Sequence, residues 1–333
     1  MSCLTRAISG FKGRYGRVEK KEGWRGGGLL KQEHPSTPPA FQSSLTAALA
    51  QVIERGVFTP SIEVKAFEQE LARYVGVEFA VGAASGSMAL LLALKGLGLG
   101  AGDEVILAPN VDISVSAPIS HAGVRQVWAD IHPRTYNLDS DRLEEKITPK
   151  TRAIIAVHMY GNPVEMAQVG EIAARYHLSV IEVEYEAEGF NARLDELQAA
   201  VLRVKLGQLA YEIQQRRANA VRYKQLLADL EPEHLLLPLD TPGAEPLYRT
   251  FVIRSPRRDV LLRHLAGAGL WAGLSYVPPL HLQPVYTYLG YRAGDFPQTE
   301  LVAQELLCLP TKPELPPSEI ERVGQEIRNF FLS

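Results

Sequence analysis

From Ser43 onward the apolar positions follow two alternating rhythms. Leu45, Leu49 and Val52 recur at helical spacing, with Gly56 just beyond, which predicts a helix over Ser43–Arg55. Val64, Phe67, Leu71 and Val75 predict a second helix after Pro60, closed by Gly76. Short apolar runs then alternate with helical stretches. Strands are predicted at Phe79–Gly82, Glu104–Leu107, Gln126–Ala129, Ala153–Val157 and Ser179–Glu182. Helices are predicted at Gly86–Leu97, Ile113–Ala122, Asp139–Lys146 and Met166–Tyr176. Strands separated by helices are joined by right-handed crossovers and lie parallel. They are apolar throughout, as strands covered on both faces are.

After Asn191 the rhythm becomes purely helical. Leu194, Leu197, Ala200, Val201, Val204 and Leu209 keep one apolar face in a helix that extends to about Leu230. Strands at Leu247–Arg254 and Leu270–Tyr276 follow, with helices at Arg257–Ala268, Pro297–Leu307 and Pro317–Phe331. The pattern gives three parts: a tail at 1–33, a large α/β domain at 34–230 and a smaller C-terminal α+β domain at 231–333. The tail is rich in Arg, Lys and Gly, with no sustained apolar period, and reads as disordered.

Composition narrows the picture little. Of 333 residues, 46% are hydrophobic and 22% charged, ordinary for a globular chain. A net charge of -3 points to neither nucleic acid nor an anionic membrane. No apolar run is long enough to span a bilayer. Two cysteines, Cys3 and Cys308, form no spaced framework, which fits a reduced, cytoplasmic setting.

Two segments carry candidate chemistry. Ala84-Ser85-Gly86-Ser87 lies between a strand and a helix, where free N–H groups and the helix dipole suit a phosphate. Simple capping by Ser85 or Ser87 is the plainer alternative. Asn191, Arg193 and Asp195 cluster at the start of an apolar helix; Asn191 capping the helix, with Asp195 or Glu196 at its positive end, explains them equally. Between the two lies an abrupt join. Glu182, Glu184, Glu186 and Glu188 alternate with Val183, Tyr185 and Ala187. Four carboxylates on one strand face repel, and no Gly or Asn shapes a loop there, so no metal site is assigned.

These segments together resemble the DegT/DnrJ/StrS family of pyridoxal-phosphate (PLP) sugar aminotransferases. The resemblance is carried by Ala84–Leu90, Gly102–Ile106, Ile147–Ile154, Val157–Gly161, Gly189–Leu206, His281–Pro284, Gly294–Pro297 and Leu307–Pro310. It implies a PLP-transferase-like large domain with a mainly parallel sheet, a smaller C-terminal domain, and amino transfer to a nucleotide-linked keto sugar. It also implies site roles. Gly86 and Ser87 hold the cofactor phosphate, and Asn191 reaches the phosphate of a neighbouring subunit. His158 lies near the cofactor pocket, and the loop around His281 approaches the sugar nucleotide. The implied partner is a second subunit, as a homodimer or as a heterodimer with an intact paralogue.

The chain departs from the family near 183–188. Val183 stands where the resemblance calls for an Asp paired with the pyridinium nitrogen. The segment bearing the Schiff-base lysine is missing, so no catalytic residue is assigned. A His in place of that lysine, as in related dehydrases, is equally absent. Asp112 stands about where an aromatic residue stacks on the ring. Lys65, Lys95, Lys146, Lys150, Lys205, Lys224 and Lys312 all read as exposed rather than as substitutes. The missing segment also supplies two strands between the Phe79 and Ser179 strands. These departures predict a catalytically inactive chain, which alternatively serves as a non-catalytic partner subunit or is the product of an in-frame deletion.

Overall fold

A computed structural model describes residues 39–59, 61–183 and 194–332. The tail at 1–33, Asn191, Arg193 and the carboxylates Glu184, Glu186 and Glu188 lie outside the described residues. The described residues fall in one compact unit.

The first half runs α1 (Pro39–Arg55), α2 (Ile62–Val75), α3 (Gly86–Gly96), β1 (Glu104–Leu107), α4 (Ile113–Ala122), β2 (Arg125–Trp128), β3 (Thr151–Val157), α5 (Met166–Tyr176) and β4 (Ser179–Val183). The four strands form one parallel sheet in the order β2-β1-β3-β4. Its central strands are the most apolar and the best buried, and Val105, Ile106, Ile154 and Ile155 are wholly inaccessible. Helix ends follow local chemistry. Gly76 and Gly123 close α2 and α4 in left-handed conformations.

The second half runs α6 (Glu196–Leu227), β5 (Phe251–Arg254), α7 (Arg258–Gly267), α8 (Pro297–Glu305), β6 (Leu306–Leu309) and α9 (Pro317–Leu332). Strands β5 and β6 pair antiparallel, with Phe251 opposite Leu309. Around them Tyr223, Leu227, Leu261, Ile320 and Ile327 build a second core. The long helix α6 serves both halves. Its first turns pack on α1 and α2, and its last turns pack on α9. Ala220, Tyr223 and Leu227 therefore already belong to the second core, upstream of residue 230.

Three sequence expectations are corrected here. Phe79–Gly82 joins no ladder, and Phe79 and Val81 are 76% and 82% exposed. A strand needs a neighbour to bond its backbone, and no strand flanks this stretch among the described residues. Asp139–Lys146 forms two 3-10 turns, Ser140–Arg142 and Glu144–Lys146, rather than a helix. Leu270–Tyr276 contributes only a single bridge, Gly273 to Cys308. The partner of β5 is instead β6, whose first two residues the helical period had absorbed into the preceding helix.

Candidate functional site

The carboxyl ends of parallel strands open onto a crevice, the usual ligand position in such sheets. Here β1 delivers Asn110 and Asp112, β3 delivers His158, and β4 delivers Glu182 and Val183. Beside the end of β1, tied to the start of α4, lies the N-terminus of α3. Ser85 caps it, its hydroxyl accepting the Met88 N–H at 3.2 Å. The Ala89 N–H bonds the Ser85 carbonyl. The N–H groups of Gly86 and Ser87 have no partner among the described residues, as expected in a first helical turn. Ser87 donates its hydroxyl to the Ser114 carbonyl at 2.8 Å, tying the start of α3 to that of α4. Capping and an anion cradle are thus compatible: Ser85 caps, and Gly86 and Ser87 present the donors.

Asp112 caps α4, with its carboxylate accepting the Ser114 N–H at 2.8 Å. A capping carboxylate offers no flat apolar face to a ring. Asn110 is buried and donates to the Tyr136 carbonyl at 2.8 Å, while its Oδ1 has no hydrogen-bond partner among the described residues.

His158 is oriented from both sides. Its Nδ1 accepts the Val164 N–H at 3.1 Å, which leaves the proton on Nε2. Nε2 lies 3.3 Å from a Glu182 carboxylate oxygen, and donates to it. The turn that follows is held by Asn137, whose Oδ1 accepts the Met159 N–H and whose Nδ2 donates to the Asn162 and Pro163 carbonyls. Tyr160 adopts a left-handed φ of 59° there. Gly161 has φ 83°, and a Cβ on it would meet the Arg249 backbone nitrogen at 2.9 Å. This close approach brings the 247–249 segment against the strand end, with the Leu247 N–H on the Gly161 carbonyl at 2.7 Å.

His281 sits elsewhere. Its side chain is wholly inaccessible, Nε2 is 3.0 Å from Glu300, and the ring packs edge-on to Phe296. Glu300 also accepts the Gly294 N–H. The structure therefore gives His281 the place of an interior anchor for the 284–296 loop, not of a side chain presented to a ligand. The loop itself does reach the crevice, through the Leu280 N–H on the Pro109 carbonyl at 2.9 Å.

Sequence reasoning missed Tyr160 and Tyr276, whose rings lie 6.1 Å apart beside Tyr136. Burial pushes the Tyr276 hydroxyl up to about 12, with the nearby Asp112 charge adding to the rise and Arg249 opposing it. A tyrosine before a glycine, as in Tyr160-Gly161, was the available sign of a tight turn. Tyr276 carried no such sign.

The DegT/DnrJ/EryC1/StrS aminotransferase family model matches residues 39–187 and 182–328. The chain belongs to this family. It is 31% identical to a pleiotropic regulatory protein of Geobacillus stearothermophilus over 354 residues, covering 87% of this chain and 95% of the relative. It is also 31% identical to the dTDP-3-amino-3,4,6-trideoxy-alpha-D-glucose transaminase of Micromonospora megalomicea, with coverage of 87% and 95%. Among solved structures, Streptomyces venezuelae DesV in complex with a ketimine intermediate superposes with a TM-score of 0.83 at 31% identity, covering 87% of this chain and 95% of that one. The two family matches meet at 182–187, on the join. The first alignment runs to 354 positions, whereas 87% of 333 residues is about 290, so roughly sixty positions of the relative face no residue here.

Proposed function

We propose that this chain descends from a PLP-dependent aminotransferase of nucleotide-linked keto sugars and does not itself catalyse amino transfer, because the segment bearing the Schiff-base lysine is missing. The transaminase relatives support the reaction class. The observation that carries the inactive reading is the break at 182–187 together with the roughly sixty unmatched positions of the relative.

The residues present fit only one end of the cofactor. Gly86 and Ser87 offer backbone donors at a helix N-terminus, suited to the phosphate. The ring end lacks its partners. Val183 is apolar where the pyridinium nitrogen needs a carboxylate. Asp112 is engaged in capping. Five of the lysines that could stand in are committed elsewhere or exposed. Lys224 bonds Asp240 and the Tyr248 hydroxyl, and Lys95 bonds the Ala122 carbonyl. Lys65, Lys150 and Lys205 are exposed. Covalent catalysis needs its nucleophile, and none is placed at this end among the described residues.

The test uses the full chain with PLP, glutamate and a nucleotide-linked keto sugar. The reading predicts no 2-oxoglutarate and no amino sugar. It also predicts that a chimera carrying a relative's segment between Val183 and Leu194 gains both products. Turnover by the unmodified chain contradicts the inactive reading. A soluble, folded chimera that makes neither product contradicts the assigned reaction.

A further inference from the structure

The two edges of the parallel sheet differ. At the β2 edge, Ala129 gives its N–H to the β1 carbonyl of Leu107, so the N–H of Trp128 points away from β1. The Tyr291 hydroxyl accepts it at 3.2 Å, and the ring of Tyr291 stacks on Trp128 at 5.0 Å. That edge is closed by the 284–296 loop, a usual way to protect a sheet.

The β4 edge is open among the described residues. The Val183 carbonyl accepts the His158 N–H, so Val183 faces β3, and alternation turns Ile181 and Ser179 the same way. The N–H and C=O groups of Val180 and Glu182 therefore point outward, with no strand beyond them. Burial shows the same thing. Nearly all of β3 is buried, whereas Val180, Ile181 and Val183 are only half-buried. The strand has no Pro, Lys or bulge to discourage pairing, and Glu182 is its single charge.

The outward groups are self-complementary. In an antiparallel pair of two β4 strands centred on Ile181, Val180 of one copy faces Glu182 of the other. Both residues direct their backbone groups outward, so each pair exchanges two hydrogen bonds, and the two-fold axis makes two such pairs. Ile181 meets Ile181 as a non-hydrogen-bonded pair, with side chains at closest approach. Each Glu182 lies opposite a valine, so no like charges face one another.

We propose that the β4 edge is an association surface for a second copy of this chain, paired antiparallel about Ile181 into one sheet that runs through both copies. The proposal rests on the edge and its register, not on the cofactor reading, and it survives if that reading fails.

Two measurements test it. The first is mild oxidation of Ile181→Cys in a Cys3→Ser background, where Cys308 is buried. Non-hydrogen-bonded antiparallel partners lie about 4.5 Å apart at Cα, within disulfide reach. A disulfide-linked dimer is expected at position 181, with none from Arg125→Cys on the β2 edge. The second uses the unmodified chain and residue-level hydrogen exchange at two protein concentrations. The Val180 and Glu182 amides are expected to exchange more slowly at the higher concentration, while Ile181 and Val183, already facing β3, are unchanged. Exchange at Val180 and Glu182 that is independent of concentration overturns the proposal. So does an Ile181→Cys variant that dimerises in solution but forms no 181–181 disulfide on oxidation, or protection that appears only when a lysine-bearing relative is added.

Discussion

Glu196 holds two distant parts of the chain together, and its removal has a calculable cost. Its carboxylate sits at the N-terminus of α2 and accepts the N–H groups of Ser61, Glu63 and Val64 at 2.5–3.2 Å. It belongs to α6, more than 130 residues later, and is 1% exposed. A charged acceptor at three free N–H groups satisfies the donors and complements the helix dipole. Each buried donor left without a partner costs about 1–3 kcal/mol. The site lies just beneath the surface, so water recovers part of that cost. Loss of repulsion from Glu63 returns a little more, so Glu196→Ala should destabilise by about 3 kcal/mol. Glu196→Gln keeps one accepting oxygen and should cost about 1–2 kcal/mol. Burial alone would raise the Glu196 pKa, but the three backbone donors outweigh it and hold it below the usual carboxylate range. A lowered folded pKa means that the unfolded chain binds the proton more readily. The stabilisation is therefore complete above the ordinary Glu value of about 4.3 and is lost as pH falls through the folded value. Urea unfolding at pH 7 should show the full difference from Glu196→Gln, and the difference should shrink below about pH 4. An alanine variant within about 0.5 kcal/mol of the parent, the range of inert surface changes, would refute the reasoning.

Three further substitutions probe the crevice. Gly161→Ala should cost at least about 2 kcal/mol, because φ 83° disfavours any side chain and the added carbon meets the Arg249 nitrogen; an unchanged urea midpoint contradicts this. Tyr136→Phe should be neutral or stabilising by up to about 1 kcal/mol, since the buried hydroxyl has no hydrogen-bond partner among the described residues and burial pushes its pKa up to about 12; a clear drop in melting temperature means the hydroxyl is engaged. Ser85→Ala removes the cap of α3 and should cost about 1 kcal/mol, measured by thermal unfolding.

Local chemistry was legible in the sequence, and long-range contacts were not. Ser85 caps its helix as its position before an apolar run announced, whereas the cap that Asp112 places on the next helix was not read from sequence. The parallel strands β1 to β4 stand where continuous apolar runs placed them. Glu196 illustrates the limit. From sequence it complements the start of its own helix, whereas Asp195 caps that helix and Glu196 reaches α2 instead. The resemblance brought in His281 through its loop, and nothing in the sequence signals that its ring is enclosed by Glu300 and Phe296. Phe79–Gly82 has the composition of a buried strand, but pattern alone does not supply the neighbours that make a strand. Leu306–Leu309 was lost as a strand because its first two residues extend the period of the preceding helix, predicted to end at Leu307.

Borohydride reduction after mixing the purified chain with PLP, followed by mass-spectrometric mapping of labelled lysines, tests the inactive reading most directly. No single lysine should take up a stoichiometric label, whether or not phosphate binds at Gly86 and Ser87. One lysine labelled stoichiometrically would mean that a substitute nucleophile exists and that the chain retains the covalent chemistry of its family.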